Sequence, residues 1–179
     1  QALEFGVDKR IKNSVDVTSL EEIILYGLKG AAAYADHALI LGVKDNDTFG
    51  GFHKVLNFLT ESHTVEEYLG MALYVGELNL KVMELLDKAN TLSYGNPEPT
   101  HVNVSSLKGK AILISGHDLK DLELLLKQTE GKGINVYTHS EMLPANSYPG
   151  LKKYKHLVWN YCGAWQDQHK EFAAFPGAI

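Results

Sequence analysis

The chain has 179 residues, enough for one sizeable core or for two small lobes. Lysine and arginine total 17 against 22 aspartates and glutamates, a formal charge of −5 with no basic block, which argues against nucleic acid or an anionic membrane as a partner. A single cysteine rules out an internal disulfide framework, and no apolar run is long enough to span a bilayer, so the expected setting is reducing and cytoplasmic.

In chain order, Gln1–Val17 is charged, shows little usable periodicity and reads as a cut end with at most a short amphipathic helix. Ser19 and Glu22 have capping-box spacing, and Leu20, Ile23, Ile24, Leu28, Ala31, Ala32, Ala35 and Leu39 then predict a helix to about Leu41. Gly27, Gly30 and Ala31–Ala33 place very small side chains on consecutive turns, an invitation to close packing. Asp45–Thr48 reads as a capped turn into a second, shorter helix with Phe49, Phe52, Val55, Leu56 and Leu59 inward. Thr64 and Glu67 repeat the capping-box spacing ahead of a third helix to about Ala89, with Val65, Leu69, Ala72, Leu73, Gly76, Leu80, Met83 and Leu86 on its expected inner face. Short connections between the three predict a three-helix bundle over 1–95.

From Asn90 to Thr100 the composition turns to Asn, Ser, Gly and two prolines, which marks a boundary. Over 96–179 the pattern predicts a partial Rossmann-like parallel α/β domain. Ala111–Ser115 and Ile134–Thr138 read as strands, and Leu119–Glu130 has the helical period between them. Such a crossover makes the strands parallel, with both carboxyl ends at one edge of the sheet, where ligands bind in open parallel sheets. His117 follows the first strand and Glu141 the second, so the two could share a site if the strands are neighbours. An imidazole with a carboxylate suits iron or zinc better than calcium or magnesium. Spacing alone does not separate that reading from a loop histidine and a solvated carboxylate.

His156–Tyr161 reads as a third strand, Trp165–Phe175 as a short helix with Trp165, Phe172 and Phe175 inward, and Ala178-Ile179 as the start of a further strand. The alternation is thus expected to be truncated at its C-terminal end. Ser115-Gly116-His117-Asp118 has one glycine and an acid that would repel phosphate, a poor dinucleotide cradle. Cys162 stands at the end of the third strand, with no residue evidently placed to activate it. A simple zinc site would need a third protein ligand, and His139 is the nearest candidate.

The stretches ISGHDLKDLE, VYTHSEMLPAN and NYCGAWQDQHKEFAAFPGAI closely resemble the hybrid cluster proteins, also called prismane proteins or hydroxylamine reductases. YGLKGAAAYADHA and ELNLKVMELLDKANTLSYGNPEPT are similar to the same family, so the resemblance covers nearly the whole chain. Carbon monoxide dehydrogenases are related, but THSEMLPA favours the hybrid cluster proteins, because the other site is expected to lack a ligand at Glu141. The resemblance implies a mixed iron–sulfur–oxygen cluster held by several cysteines, with His117 and Glu141 as ligands on its oxo side. It implies reduction of hydroxylamine to ammonia, or of nitric oxide, with an external electron donor. It also implies small residues, glycine among them, where Ser140, Trp159 and Cys162 stand. The family's cysteine sets are missing from this sequence, so the expectation is an internal fragment that is cluster-free and inactive alone. Its unfinished sheet offers a route to self-association. The competing expectations are a non-catalytic assembly module and a mononuclear His/Glu metal site.

Overall fold

The computed structural model describes residues 14–103, 105–161 and 163–179. The expected amino-terminal segment up to residue 13, and Cys162, lie outside the described residues. The chain forms two compact units, dividing between Lys88 and Ala89.

The first unit is helical: α1 spans Val15–Ile40, α2 spans Asn46–Phe58, and α3 begins at Val65 and runs to Tyr94. The start of α1 differs from the expected one. Ser14 caps it by accepting from the Val17 N–H at 3.3 Å, while Ser19 lies inside the helix and donates to the Val15 carbonyl at 2.8 Å. A serine in a helix interior bonds back to the preceding turn in this way, so the Ser19/Glu22 spacing was a coincidence of composition. The other two caps form as expected. Asp45 accepts from the Thr48 hydroxyl at 2.7 Å and from the Thr48 N–H at 2.8 Å, and these two bonds hold its carboxyl below the usual carboxylate range. Thr64 and Glu67 make the reciprocal pair, Thr64 N–H to Glu67 Oε2 at 2.8 Å and Glu67 N–H to Thr64 Oγ1 at 3.3 Å.

Ile24, Leu28, Val55, Tyr68, Val75 and Leu78 form the core of this unit, each such side chain worth roughly 1.5–3 kcal/mol of burial. The expected inner face of α3 is corrected except at Ala72, which does pack against this core. Leu69, Leu73, Leu80 and Met83 are exposed, Leu73 by 66%, and Tyr68, Val75, Leu78 and Val82 point inward. The helix is apolar on two sides, and periodicity finds a stripe without saying which one is buried. Ile23 and Leu39 of α1 and Leu56 of α2 are likewise exposed. The small residues pack as anticipated at two positions: a Cβ on Gly27 would lie 2.9 Å from Val75, and Ala31 is fully buried in a cluster with Ala35 and Val82, whereas Gly30 has open space beside it.

In the second unit β1 spans Lys110–Ser115, α4 Leu119–Thr129, β2 Ile134–His139, α5 Pro149–Lys152, β3 Leu157–Tyr161 and α6 Gln168–Ala174. The strands form a parallel sheet in the order β1-β2-β3, so the protein combines a helical part with a parallel α/β part, the expected fold class. Asn90–Tyr94, read from composition as loop, instead completes α3. Weak helix formers continue a helix already nucleated, and the stop comes at Gly95, whose φ of +86° suits glycine. Ala178 forms a parallel bridge with Ile112, and its carbonyl accepts from the Leu113 N–H at 2.8 Å. The next strand position therefore lies on the side of β1 away from β2, and strand order reverses beside β1.

Leu113, Tyr137 and Val158 are the buried centre of one sheet face, covered by Phe172 of α6 and by Phe175 just beyond it. Trp165 was expected there too, but it is 64% exposed. Residues 165–167 form a 3₁₀ turn ahead of α6. The 165/172 spacing shares a face only in a continuous α-helix, and the tighter turn rotates Trp165 away.

Candidate metal centre

The register of the sheet positions the two candidate ligands. β1 and β2 are neighbours and pair along their length, with Ser115 opposite His139 at the carboxyl ends. His117 and Glu141 each stand two residues beyond that last pair, at the same edge, and both are exposed. This is also the edge beside the reversal of strand order, where crevices form in open parallel sheets.

Each ligand segment is fixed by its neighbours. Gly116, at φ +126°, turns the chain out of β1, and the Asp118 side chain then caps α4 by accepting from the Lys120 N–H at 2.7 Å. His117 is held between that turn and that cap. Within α4, hydrogen bonds from Lys120 and then Lys127 hold the Glu123 carboxyl below its usual range. Glu141 lies in a 3₁₀ segment, Ser140–Ser147, anchored by buried Met142, Ala145 and Asn146. Asn146 Nδ2 donates to Thr138 Oγ1 and to the Leu143 carbonyl, both at 3.1 Å, and the Thr138 hydroxyl donates to Asn160 Oδ1 at 2.8 Å. The register irregularity near Val136 makes this possible, because it sets Asn160 opposite Thr138.

Ser140, where the resemblance implies a small residue, has φ +46° and is the one non-glycine with positive φ among the described residues. The left-handed region costs an ordinary residue roughly 1–2 kcal/mol. Ser140→Gly is therefore expected to raise stability by about 1 kcal/mol, part of the relief being offset by a more flexible unfolded chain. Urea unfolding followed by tryptophan fluorescence would measure it, and an unchanged or lower midpoint would contradict the reading.

His139 does not join Glu141. It is fully buried, its Nε2 is 2.7 Å from Glu171 Oε2 and its Nδ1 is 3.1 Å from Ser115 Oγ, so both ring nitrogens are already engaged and the zinc site lacks its suggested third ligand. Glu171 was not singled out in the sequence. One signal was available: Ser115 and His139 have the same separation as His117 and Glu141, so the parallel register that aligns one pair aligns the other. A further buried group is the Tyr94 hydroxyl, pushed well above its ordinary value by burial, with the negative charges of Glu123 and Asp118 adding to the shift.

The chain thus joins a helical unit to a parallel α/β unit that carries a histidine and a glutamate just beyond adjacent strand ends. The chain belongs to the Prismane/CO dehydrogenase family, whose model matches residues 1–179. The resemblance to the hybrid cluster proteins is thereby borne out.

The residues present fit only part of the metal group which that family implies. Imidazole and carboxylate are donors for an iron with nitrogen and oxygen ligands, but iron–sulfur clusters are held by thiolates, and this sequence has one cysteine. Among the described residues no group of three or more His, Cys, Asp or Glu is gathered as a metal site. The 179 residues do not by themselves fit the whole cluster. Among the described residues, too, no helix is long and apolar enough to cross a membrane.

Proposed function

We propose that this chain is the part of a hydroxylamine-reductase-like protein that supplies the histidine and glutamate ligands of a hybrid iron–sulfur–oxygen cluster, through His117 and Glu141. The observation that supports the reading most is their shared strand-end position on paired β1 and β2, in a chain of this family. The overall reaction takes hydroxylamine, two electrons from an external donor and two protons to ammonia and water, with cleavage of the N–O bond; nitric oxide is the other substrate of this class. The thiolates come from outside these residues, so the chain alone neither assembles the cluster nor reduces hydroxylamine. We place it in a reducing, cytoplasmic setting, without nucleic acid or membrane as partner.

Two measurements test this. Anaerobic incubation of the chain with ferrous iron and sulfide should give no visible cluster band, and no ammonia should form from hydroxylamine with a reduced dye. Titration with Mn²⁺, a paramagnetic stand-in for ferrous iron, should broaden the NMR signals of His117 and Glu141 together, at millimolar concentration. His117→Ala should remove the broadening at Glu141 as well. A stable cluster in this chain alone would overturn the claim about thiolates, and broadening at only one of the two residues would overturn the shared site.

A further inference from the structure

Beneath the two strand ends lies a closed polar loop that the ligand pair does not use. The His139 ring bridges Glu171 and Ser115, and the Gln168 side-chain N–H donates to Ser115 Oγ at 3.3 Å. A carboxylate has no proton to give, so the Nε2 facing Glu171 carries the hydrogen. In the neutral ring Nδ1 is then an acceptor and takes the Ser115 hydroxyl, whose oxygen in turn accepts from Gln168. All three hydrogen bonds are accounted for by this one arrangement. Gln168 and Glu171 are one turn apart on α6, so this short helix grips the end of β1 with one side chain and the end of β2 with the other. The glutamate fits because residue 163 is glycine: a Cβ there would overlap the Glu171 carboxylate. Phe172 meets the imidazole at 5.1 Å between ring centroids and closes the remaining side.

Serine, histidine and glutamate in this order also describe an acyl-transfer triad. The burial of His139 speaks against that role, since a general acid must reach a leaving group and this ring has no exposed surface.

We propose that His139 is a positioning residue: through Ser115, Glu171 and Gln168 it locks the ends of β1 and β2 together and so sets the directions in which the His117 and Glu141 segments leave the sheet. Its purpose rests on the ligand reading above, but the clamp exists without metal and is tested without it. The ring ¹⁵N shifts of His139 in the 179-residue chain should show the proton on Nε2. Amide hydrogen exchange at residues 116–118 and 141–143 should be faster by roughly tenfold or more in Glu171→Ala, with α1 and α2 unaffected. Gly163→Ala, which displaces the same carboxylate from a distance, should reproduce the effect. Glu171→Gln, which keeps an acceptor for the Nε2 proton, should restore most of the protection.

A proton on Nδ1, unchanged exchange in both Glu171→Ala and Gly163→Ala, or a Glu171→Gln protein as loose as the alanine variant would each overturn the proposal. If Glu171→Ala does not fold, the ¹⁵N signature and Gly163→Ala still decide. Failure of the Mn²⁺ test with these exchange results intact would reject the ligand pair and leave the clamp standing.

Discussion

Asn146→Ala is expected to destabilise the second unit by about 2 kcal/mol, within the range for breaking a buried hydrogen-bonded group. The asparagine has 7% exposure and makes two bonds that nothing else replaces, to Thr138 Oγ1 and to the Leu143 carbonyl. Its loss frees the Leu143 carbonyl in the middle of the 3₁₀ segment that carries Glu141 and leaves a small void beside Thr138. Thr138→Val should cost a similar amount. The double variant should cost less than the sum of the two, because each single change already breaks the shared bond. Both tryptophans, Trp159 and Trp165, belong to the second unit, so urea unfolding followed by their fluorescence reports on it directly. Strict additivity would mean that the Thr138–Asn146 bond contributes nothing, and the account of how Glu141 is held would fail.

Gly150→Ala is expected to cost about 2 kcal/mol by overpacking. The new Cβ would lie 2.8 Å from the Tyr94 Cα and 3.0 Å from its carbonyl oxygen. Both are backbone atoms of the last residue of α3 and have no rotamer by which to escape. The same comparison at Gly131, in the exposed turn after α4, provides the control: its φ is +72° but nothing lies within 4 Å, so only the backbone cost applies there. A Gly150→Ala protein as stable as the parent would show that Tyr94 and α5 separate readily. The contact would then not define how α3 ends.

Much of the fold was legible because several kinds of local signal agreed. Capping residues gave the starts of α2 and α3, and short apolar runs gave all three strands to within a residue. A helical crossover required the first two to be parallel. The errors fall where one signal stood for two possibilities. Ser19 has the chemistry of a cap and of a back-bonding helix serine, and only the presence of Ser14 decides. α3 is apolar on two sides. Trp165 was placed by a spacing that assumed one kind of helix throughout. At the candidate site, the edge of the sheet follows from topology and so was readable, as was the placement of His117 and Glu141 at that edge. Glu171 was not, since its partnership depends on the space left by Gly163 and on the path of α6, neither of which has a periodic signature. Ser140 stands between these cases. The resemblance marked it as a departure, and the positive φ supplies the physical reason a glycine would be favoured there.

The bridge between Ile112 and Ala178 also bears on how the protein acquires its structure. β1 and β2 are joined by a single helical hairpin's length of chain, whereas the far side of β1 waits for a segment that follows α6. Closing so long a loop costs entropy before any contact repays it, and pairings distant in sequence form late. During synthesis or refolding the turn holding His117 should thus exist before the crevice beside it does. If His117 and Glu141 hold an ion as proposed, one arriving early would meet an open sheet edge that only the last pairing closes.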